Sequence, residues 1–370
     1  MTSTRRLGVS AALTPTGVMA GDVEVRDDRV AGVGCAPAGT RGLAIPGLID
    51  LHVHGSAGVD FQADGADGHH RVAPALLATG VTAYQPAFVC APAAELEASV
   101  RDLASLVPVP GAPRMLGAHL EGPFLSPDRL GTHNPAHRRD PDPDELDRLL
   151  AAGPVAEMTL APELTGGVAL VERLTARGLV TSVGHSDATA AQTRMAVAAG
   201  ARSVTHLCNA MRPLHHREPG IIGVALTTDI LTVELIVDGH HLADAIVRLA
   251  WRAAAGRIAL VTDGTAAAGM PDGAYEVGGI AVTLTDGAVR NRAGALAGSA
   301  LTMIDAVRNL HALGIPLADA VDAATRVPAR LRGRDDLGVL RPGAAADVVI
   351  LDDRLDVRAT LVAGASHGDA

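Results

Sequence analysis

The chain has 370 residues, 48% hydrophobic and 19% charged, so it is long enough for one large α/β domain and a smaller companion. Disordered chains are poor in hydrophobic residues and rich in charge, so this composition excludes a disordered chain. It is also not the composition of a collagen or a coiled coil. The net charge of -10, without a long basic run, excludes the electrostatic footprint of a protein that binds nucleic acid or an anionic membrane.

The first segment of the chain, from about Leu7 to Val33, alternates apolar and polar residues around Gly and Asp turns, which predicts short β-strands. Eight buried-type strands then follow. They are expected near Ala44–Leu51, Val81–Phe88, Met115–Leu120, Ala156–Leu160, Val180–Val183, Ser203–Thr205, Thr232–Val237 and Ile258–Thr262.

Segments of helical length separate these strands. They are Ala93–Leu106, Asp144–Ala152, Val168–Arg177, Ala188–Ala199 and Ala243–Ala255. Continuous apolar strands that alternate with helices indicate a parallel sheet covered by helices, so the fold class predicted is α/β, a (β/α)₈ TIM-type barrel.

The last part of the chain adds three further features. Tyr275–Arg290 is a β excursion whose hairpin turn is predicted at Thr285–Ala288, and Ser299–Leu313 is the helix that completes the barrel. Asp347–Asp352 and Val357–Val362 alternate like the first segment. We therefore expect a barrel over residues 45–334 and a small β-sandwich domain built from both termini, residues 1–44 and 335–370.

The basic residues restrict the chemistry, because all 31 are arginine and the sequence contains no lysine. This excludes a Schiff-base lysine, a P-loop lysine and the carboxylated lysine that bridges two metal ions in some hydrolases. Catalysis must therefore use His, Asp, Glu and Arg.

The three cysteines, Cys35, Cys90 and Cys208, have no metal-type spacing and argue against a disulfide framework. No signal peptide is evident at the N-terminus, and no uninterrupted apolar run reaches the ~20 residues that span a bilayer. The expected location is the cytoplasm.

Six potential metal ligands fall at the carboxyl ends of the predicted strands, which converge on one mouth in a barrel of this type. They are His52, His54, Glu121, His185, His206 and Asp263. His52 and His54 are two residues apart on a strand, so both imidazoles should face the barrel interior. Nitrogen and carboxylate ligands suit Zn²⁺, Fe²⁺ or Mn²⁺ better than Ca²⁺ or Mg²⁺. Histidines outside this set, such as His69, are expected in solvent.

Several sequence segments carry a family resemblance. They are Pro46–Gly55, His119–Phe124 (HLEGPF), Val183–Ser186, Thr205–Met211 (THLCNAM), Val261–Asp263 and Leu296–Ser299. With these segments the chain resembles the N-acetylglucosamine-6-phosphate deacetylases of the amidohydrolase superfamily over essentially its whole length. The His-x-His pair is shared with many amidohydrolases, whereas HLEGPF and THLCNAM are much more specific.

The resemblance implies roles for the six ligands. Glu121, His185 and His206 match the principal metal ligands, and His52 and His54 match a pair that completes a second metal site in some members. One or two divalent ions per subunit are therefore expected, with zinc favoured and iron or manganese as alternatives. Asp263 matches the catalytic aspartate.

The resemblance also implies a substrate site and an assembly. The matching substrate-contacting positions are Thr132, His133, Asn209, Ala210, Arg217, His241, Leu296, Ala297 and Gly298. His241 aligns with the contacting residue, and its neighbour His240 is the other candidate. A homodimer is implied, and phosphate contacts from the partner copy are left open.

The implied reaction is hydrolysis of N-acetylglucosamine 6-phosphate to glucosamine 6-phosphate and acetate, in amino-sugar catabolism or cell-wall recycling. A metal-bound hydroxide would attack the acetamide carbonyl, with Asp263 as general base and then acid. Arg217 offers a planar fork of donors to the phosphate. The alternatives are another amidohydrolase, either a cyclic amidase or a deaminase, and a catalytically silent scaffold with the same barrel.

Overall fold

The fold is described by a computed structural model over residues 4–368. Its central sheet contains eight parallel barrel strands, named here β1 to β8 in chain order. They are β1 Leu48–Val53, β2 Val81–Phe88, β3 Ala118–Glu121, β4 Val155–Leu160, β5 Val180–Val183, β6 Ser203–Val204, β7 Thr232–Leu235 and β8 Ile258–Leu260. A two-residue strand, Arg114–Met115, precedes β3 and also pairs with β2.

One helix follows each barrel strand. They are α1 Phe61–Ala78, α2 Ala93–Ala104, α3 Pro143–Ala152, α4 Gly167–Ala176, α5 Ala190–Ala199, α6 Gly220–Thr227, α7 Asp244–Ala254 and α8 Met303–Ala312. Shorter helices lie at Pro135–His137, Leu317–Ala323 and Arg326–Leu331. Among residues 4–368, none of the helices combines the length and the apolar character needed to cross a membrane.

The sheet runs from β1 through β8 in sequence order, and the segment after β8 returns to β1. Gly264 forms a parallel bridge with Val53, and the Asp263 N–H donates to the His52 carbonyl oxygen at 2.8 Å. Gly264 bridges Ser299 in the same way. The predicted (β/α)₈ architecture is confirmed, and it carries the carboxyl ends of β1 to β8 to one rim.

Burial explains why these segments are strands and helices. All eight residues of β2 are buried, as expected for a parallel strand that is covered on both faces. The helices bury one side only and begin at polar caps: Asp142 accepts hydrogen bonds from the first turn of α3. Thr189 and Gln192 form a reciprocal capping box at the start of α5, the helix that follows the His185 loop.

Two antiparallel-rich sheets from the chain termini lie beside the barrel and share one apolar core. The smaller contains Thr4–Arg6, Asp22–Arg26 and Arg29–Cys35. The larger contains, in spatial order, Ala365–Gly368, Val357–Val362, Val348–Leu351, Leu43–Pro46, Ala11–Thr14 and Gly17–Ala20. This is the sandwich predicted from the alternating termini.

The boundaries of the sandwich, 1–44 and 335–370, stay a prediction. Strand Leu43–Pro46 belongs to the larger sheet and extends across the expected boundary at residue 44. Residues 1–3 and 369–370 lie outside the described part of the chain.

A third sheet interrupts the connection between β8 and α8. Its strands are Gly273–Val277, Ile280–Thr285 and Ala288–Asn291. The predicted hairpin turn is present, since Thr285 pairs with Ala288 across Asp286 and Gly287, which both have positive φ. The Gly278 N–H donates to Asp60 Oδ2 at 2.7 Å, so the sheet is tied to the loop after β1.

Two local expectations were wrong, and one helix was missed. The last barrel helix begins at Met303 rather than Ser299, because the Ser299 N–H donates to the Asp263 carbonyl oxygen at 2.7 Å and closes the barrel instead. Helix α1 was not predicted. His69, expected in solvent, is buried on α1 and stacks on Phe61, with ring centroids 4.5 Å apart.

Candidate active site

A cavity of about 210 Å³ opens at the carboxyl ends of the barrel strands. Five of the six candidate ligands line it, namely His54, Glu121, His185, His206 and Asp263. The sixth, His52, lies beneath them and is completely buried. The barrel therefore brings all six residues together from positions spread over more than two hundred residues of sequence.

The first group of ligands is Glu121, His185 and His206. His185 Nε2 and His206 Nε2 each lie 2.9 Å from Glu121 Oε1, and they are 3.1 Å from each other. Glu121 stands at the end of β3, and the histidines follow β5 and β6. Three ligand atoms so close together can share one cation.

The second group is His52, His54 and Asp263. His54 Nε2 lies 3.0 Å from Asp263 Oδ1, and His52 Nε2 lies 3.5 Å from the same oxygen. The two groups adjoin, since Glu121 Oε1 is 3.6 Å from His52 Nε2 and Glu121 Oε2 is 3.6 Å from His54 Nε2. The arrangement has the donors for two ions side by side.

Outer hydrogen bonds orient the imidazoles. His185 Nδ1 donates to the Arg129 carbonyl oxygen at 2.9 Å, and His54 Nδ1 donates to the Ala87 carbonyl oxygen at 3.0 Å. A carbonyl oxygen can only accept, so the proton of each neutral ring is on Nδ1 and the lone pair of Nε2 faces the other ligands. This is the tautomer that a metal ion requires.

Burial and charge shift the pKa values of the group. Burial lowers the pKa of His52 to about 4. Burial alone would also lower the pKa of His54, but the hydrogen bond and charge of Asp263 outweigh it and raise the pKa to about 9. The charges of His185, His133 and His52 outweigh burial at Glu121 and hold its pKa well below the usual value. Glu121 is therefore ionised at neutral pH.

The donor set fits a divalent cation. Buried carboxylate oxygens of Glu121 and Asp263 face imidazole nitrogens at 2.9 to 3.6 Å, and His52 Nε2 has no hydrogen-bond partner in the described part of the chain. Lone pairs that face anions repel each other unless a cation or a proton lies between them. Histidine and carboxylate ligands suit zinc and the later first-row metals.

Three site residues have left-handed backbone conformations that are uncommon outside glycine. They are His185, His206 and Asp263, with φ of 46°, 30° and 50°. Each lies two or three residues after the end of a barrel strand, so the chain turns sharply at the rim and the side chain is directed to the cavity. Ala210, which also lines the cavity, has φ 47°.

Eight of the nine predicted substrate-contacting residues line the cavity. They are Thr132, His133, Asn209, Ala210, His241, Leu296, Ala297 and Gly298. Of the two neighbouring histidines, His241 lines the cavity and bonds Asp238 Oδ2 at 2.7 Å, while His240 is exposed. Arg217 is the exception: it is exposed, outside the cavity lining, and its Nη1 lies 2.7 Å from His216 Nε2.

His133 connects the predicted substrate contacts to the ligands. The Cys90 N–H donates to His133 Nδ1 at 3.2 Å, so the proton of the neutral ring is on Nε2, which donates to Glu121 Oε2 at 3.1 Å. Thr132, the preceding residue, donates to the Leu296 carbonyl oxygen at 2.9 Å. The loop between β3 and α3 thus binds both the ligand group and the segment after the third sheet.

Two buried residues of the site were missed from the sequence, His119 and Glu234. The His119 ring lies 4.5 Å from that of His52, and Glu234 Oε2 lies 3.2 Å from His52 Nδ1. His119 is two residues before Glu121, the same spacing as in the His52–His54 pair. Glu234 is an acidic residue in an otherwise apolar strand. Both signals are visible in the sequence.

A sequence model of the amidohydrolase family matches residues 43–368. An N-acetylgalactosamine-6-phosphate deacetylase of Escherichia coli O157:H7 is 41% identical over 328 residues, which cover 87% of each chain. An N-acetylglucosamine-6-phosphate deacetylase of Vibrio furnissii is 37% identical over 332 residues, 88% of this chain and 83% of that protein. One similar solved structure is the D267A mutant of N-acetyl-D-glucosamine-6-phosphate deacetylase from Mycobacterium smegmatis, in complex with N-acetyl-D-glucosamine-6-phosphate. It superposes on this chain with a TM-score of 0.92 and is 37% identical, over 100% of both chains.

Proposed function

This chain belongs to the amidohydrolase family, and we propose that it hydrolyses the acetamide of N-acetylglucosamine 6-phosphate to glucosamine 6-phosphate and acetate. The observation that carries the proposal is that five of the six candidate ligands and eight predicted substrate contacts line one cavity of about 210 Å³. The reaction belongs to amino-sugar catabolism or cell-wall recycling.

The metal would be held by Glu121, His185 and His206, and a second ion by His52, His54 and Asp263. When bound, such an ion supplies a Lewis acid that lowers the pKa of water to about 7 and polarises a carbonyl oxygen. We infer zinc as the ion, because imidazole and carboxylate are its common ligands. Metal analysis of the purified protein tests both the identity and the number of ions, and a protein that holds and regains no ion would contradict this assignment.

Asp263 is the proton-transfer residue of the proposal. It lines the cavity, and the hydrogen bond and charges of His54 and His52 outweigh burial and hold its pKa below the usual value. Asp263 is therefore ionised at neutral pH and can accept a proton from the attacking water. Once protonated it is a strong enough acid to deliver that proton to the leaving nitrogen.

The substrate would be held by residues on three sides of the cavity. His133 and His241 line the cavity with their imidazole rings, and Thr132 and Asn209 lie on neighbouring loops. Gly298 lets the backbone approach the sugar closely. Arg217 is proposed for the phosphate, and because it lies outside the cavity lining, we infer that it acts on a site formed with a second copy.

A second copy of the chain is the partner that we propose. Large apolar side chains are exposed on neighbouring elements from α5 to α7, namely Met195, Leu214, Ile230, Ile246 and Leu249. Exposed apolar groups on adjacent elements are typical of a protein interface. The loop that carries Leu214 also carries Arg217. Sedimentation that gives the mass of a monomer at micromolar concentration would contradict a homodimer.

We also infer a cytoplasmic location. Cys35, Cys90 and Cys208 are all free thiols in the structure, which suits a reducing compartment. Fractionation of the source cells tests this inference, and recovery of the protein outside the cytoplasm would contradict it.

The decisive experiment supplies purified protein, zinc and N-acetylglucosamine 6-phosphate, and measures acetate. Ammonia release instead would indicate a deaminase, and ring opening of a cyclic amide a cyclic amidase. Absence of turnover together with absence of bound metal would indicate a silent scaffold, which the complete ligand set does not favour. The 4-epimer, N-acetylgalactosamine 6-phosphate, belongs in the same assay, because a 41% identical relative is named for it.

A further inference from the structure

Glu234 lies inside the barrel on β7 and is completely buried. One of its oxygens, Oε2, accepts a hydrogen bond from His52 Nδ1 at 3.2 Å and another from the backbone N–H of His206 at 3.3 Å. His52 belongs to the second ligand group and His206 to the first. We propose that Glu234 is a positioning residue that fixes both ligand groups from beneath and sets the metal affinity of the centre.

The contact with His52 determines the tautomer of that ring. The backbone N–H of His206 can only donate, so Oε2 of Glu234 is an accepting oxygen. The proton of the neutral His52 imidazole is therefore on Nδ1, and the lone pair of Nε2 faces Glu121 and Asp263. Carboxylate–histidine–metal arrangements of this kind orient the ring and raise its basicity as a ligand. His54 and His185 use backbone carbonyl oxygens for the same purpose, whereas the outer partner of His52 is an acidic side chain.

The contact with His206 stabilises an unfavourable turn. His206 has φ 30°, a conformation that L residues seldom adopt. The side chain of Glu234 accepts from the His206 N–H, and its backbone carbonyl oxygen accepts from the Leu207 N–H at 2.9 Å. Two consecutive N–H groups of the turn are thereby held by one residue of the neighbouring strand.

The placement of Glu234 separates metal binding from sugar binding. Glu234 is not among the residues that line the cavity, whereas Glu121, Asp263 and the substrate contacts are. Its loss should therefore weaken metal binding and lower kcat at limiting metal, and leave the KM for the sugar nearly unchanged.

The test compares E234Q, E234L and a control, E157Q. Glu157 on β4 is the other buried acid that senses the charge of Glu234, but in the described chain it makes no hydrogen bond to any of the six candidate ligands. We measure zinc affinity by competition with a chelator, and ions per subunit by elemental analysis. Loss of such an outer partner typically weakens metal binding 10- to 100-fold. We expect a loss of about tenfold in E234Q and nearer 100-fold in E234L, and none in E157Q.

Further readouts separate positioning from general damage. Excess zinc should restore kcat in E234Q, and the melting temperature of its metal-free form should match that of E157Q. Wild-type zinc affinity in E234L would overturn the proposal, and if E234L does not fold, wild-type affinity in E234Q would overturn it. The inference builds on the proposed function, but zinc affinity is measured without substrate. An altered affinity in a protein that releases no acetate would therefore refute the function and support the role of Glu234.

Discussion

Asp263 faces the cavity, with its Oδ1 3.0 Å from His54 Nε2, and the substitution D263N removes the proton acceptor with little change of shape. General acid–base catalysis contributes ~10²–10⁴ in rate, and we expect a loss of kcat in that range. The first ligand group does not include Asp263, so at least one ion and the KM for the sugar should be retained. Steady-state kinetics with metal analysis checks this, and near-native kcat would rule out the role.

Gly298 illustrates how a residue without a side chain can be essential to the site. It has φ 64°, and a Cβ there would lie 2.6 Å from Thr265 Cγ2 and 2.8 Å from the Asp263 carbonyl oxygen. We expect G298A to lower the free energy of unfolding by roughly 1–3 kcal/mol and to reduce kcat by displacing Asp263.

The control for this prediction is G294A. Gly294 also has positive φ, at 82°, but a Cβ there meets nothing within 4 Å. G294A should therefore lower the free energy of unfolding, because alanine is strained at positive φ, but it should not reduce kcat. We measure kcat and unfolding in urea for both variants. An equal loss of kcat in G298A and G294A would contradict the contact between Gly298 and Asp263.

At the scale of single residues, the sequence was most informative where a side chain is required by chemistry. The six candidate ligands were found because each falls at the carboxyl end of a predicted apolar strand, and all six converge in the structure. Glu234 and His119 were missed because they lie within strands, where acidic residues and histidines are normally absent. The position of Arg217 outside the cavity could not be derived, since it depends on a loop conformation that no local sequence pattern encodes.

Strand β4 places a second acid inside the barrel, and it makes stability depend on pH. Burial and the charge of Glu234 raise the pKa of Glu157 from 4.5 to about 8. Between these pH values the folded chain keeps a proton that the unfolded chain has released. The stabilisation is therefore complete below pH 4.5 and is lost as the pH rises through about 8.

The substitution E157Q removes this titration. We expect the free energy of unfolding of the wild type, relative to E157Q, to fall by roughly 2 kcal/mol or more between pH 4.5 and pH 8, since each pKa unit corresponds to about 1.4 kcal/mol. Chemical denaturation of both proteins across this range measures the difference. Parallel pH profiles would show that Glu157 is ionised in the folded state.

Elements were predicted best where their sequence is regular. Val81–Phe88, Val180–Val183 and Val357–Val362 were predicted to the residue, since each is an apolar run that a turn ends. Helix α1 was missed because it contains Gly65, Gly68 and Pro74, and its backbone is kinked at Gly65. Helix α8 begins later than predicted because Ser299 pairs with Asp263 to close the barrel, and no local sequence pattern encodes such a tertiary contact.

At the scale of the whole molecule, the exposed position of Arg217 raises the question of whether a second copy completes the phosphate site. A charged hydrogen bond is worth ~1.5–3 kcal/mol, so R217A should reduce the preference for the 6-phosphate over the free sugar roughly 10- to 150-fold. R252A, which removes an exposed arginine from α7, should not. The ratio of kcat/KM values for the two sugars gives the answer.

Mixing R217A with D263N distinguishes the two possible sources of the arginine. If Arg217 acts on the partner's cavity, each mixed dimer has one site with both residues intact. Random mixing makes about half of the dimers mixed, so phosphate selectivity returns in about a quarter of all sites. If Arg217 acts within its own chain, mixing adds no activity.

The left-handed turns at His185, His206 and Asp263 have a further consequence for the whole molecule. Conformations of this kind cost of order 1 kcal/mol or more each, and here they are concentrated at one rim of the barrel. We therefore expect the catalytic end to open locally before the rest of the fold, and its amide hydrogens to exchange with solvent sooner than those at the base. On mild heating the enzyme should lose activity at a lower temperature than it loses its overall fold. A bound cation should bring these two temperatures together.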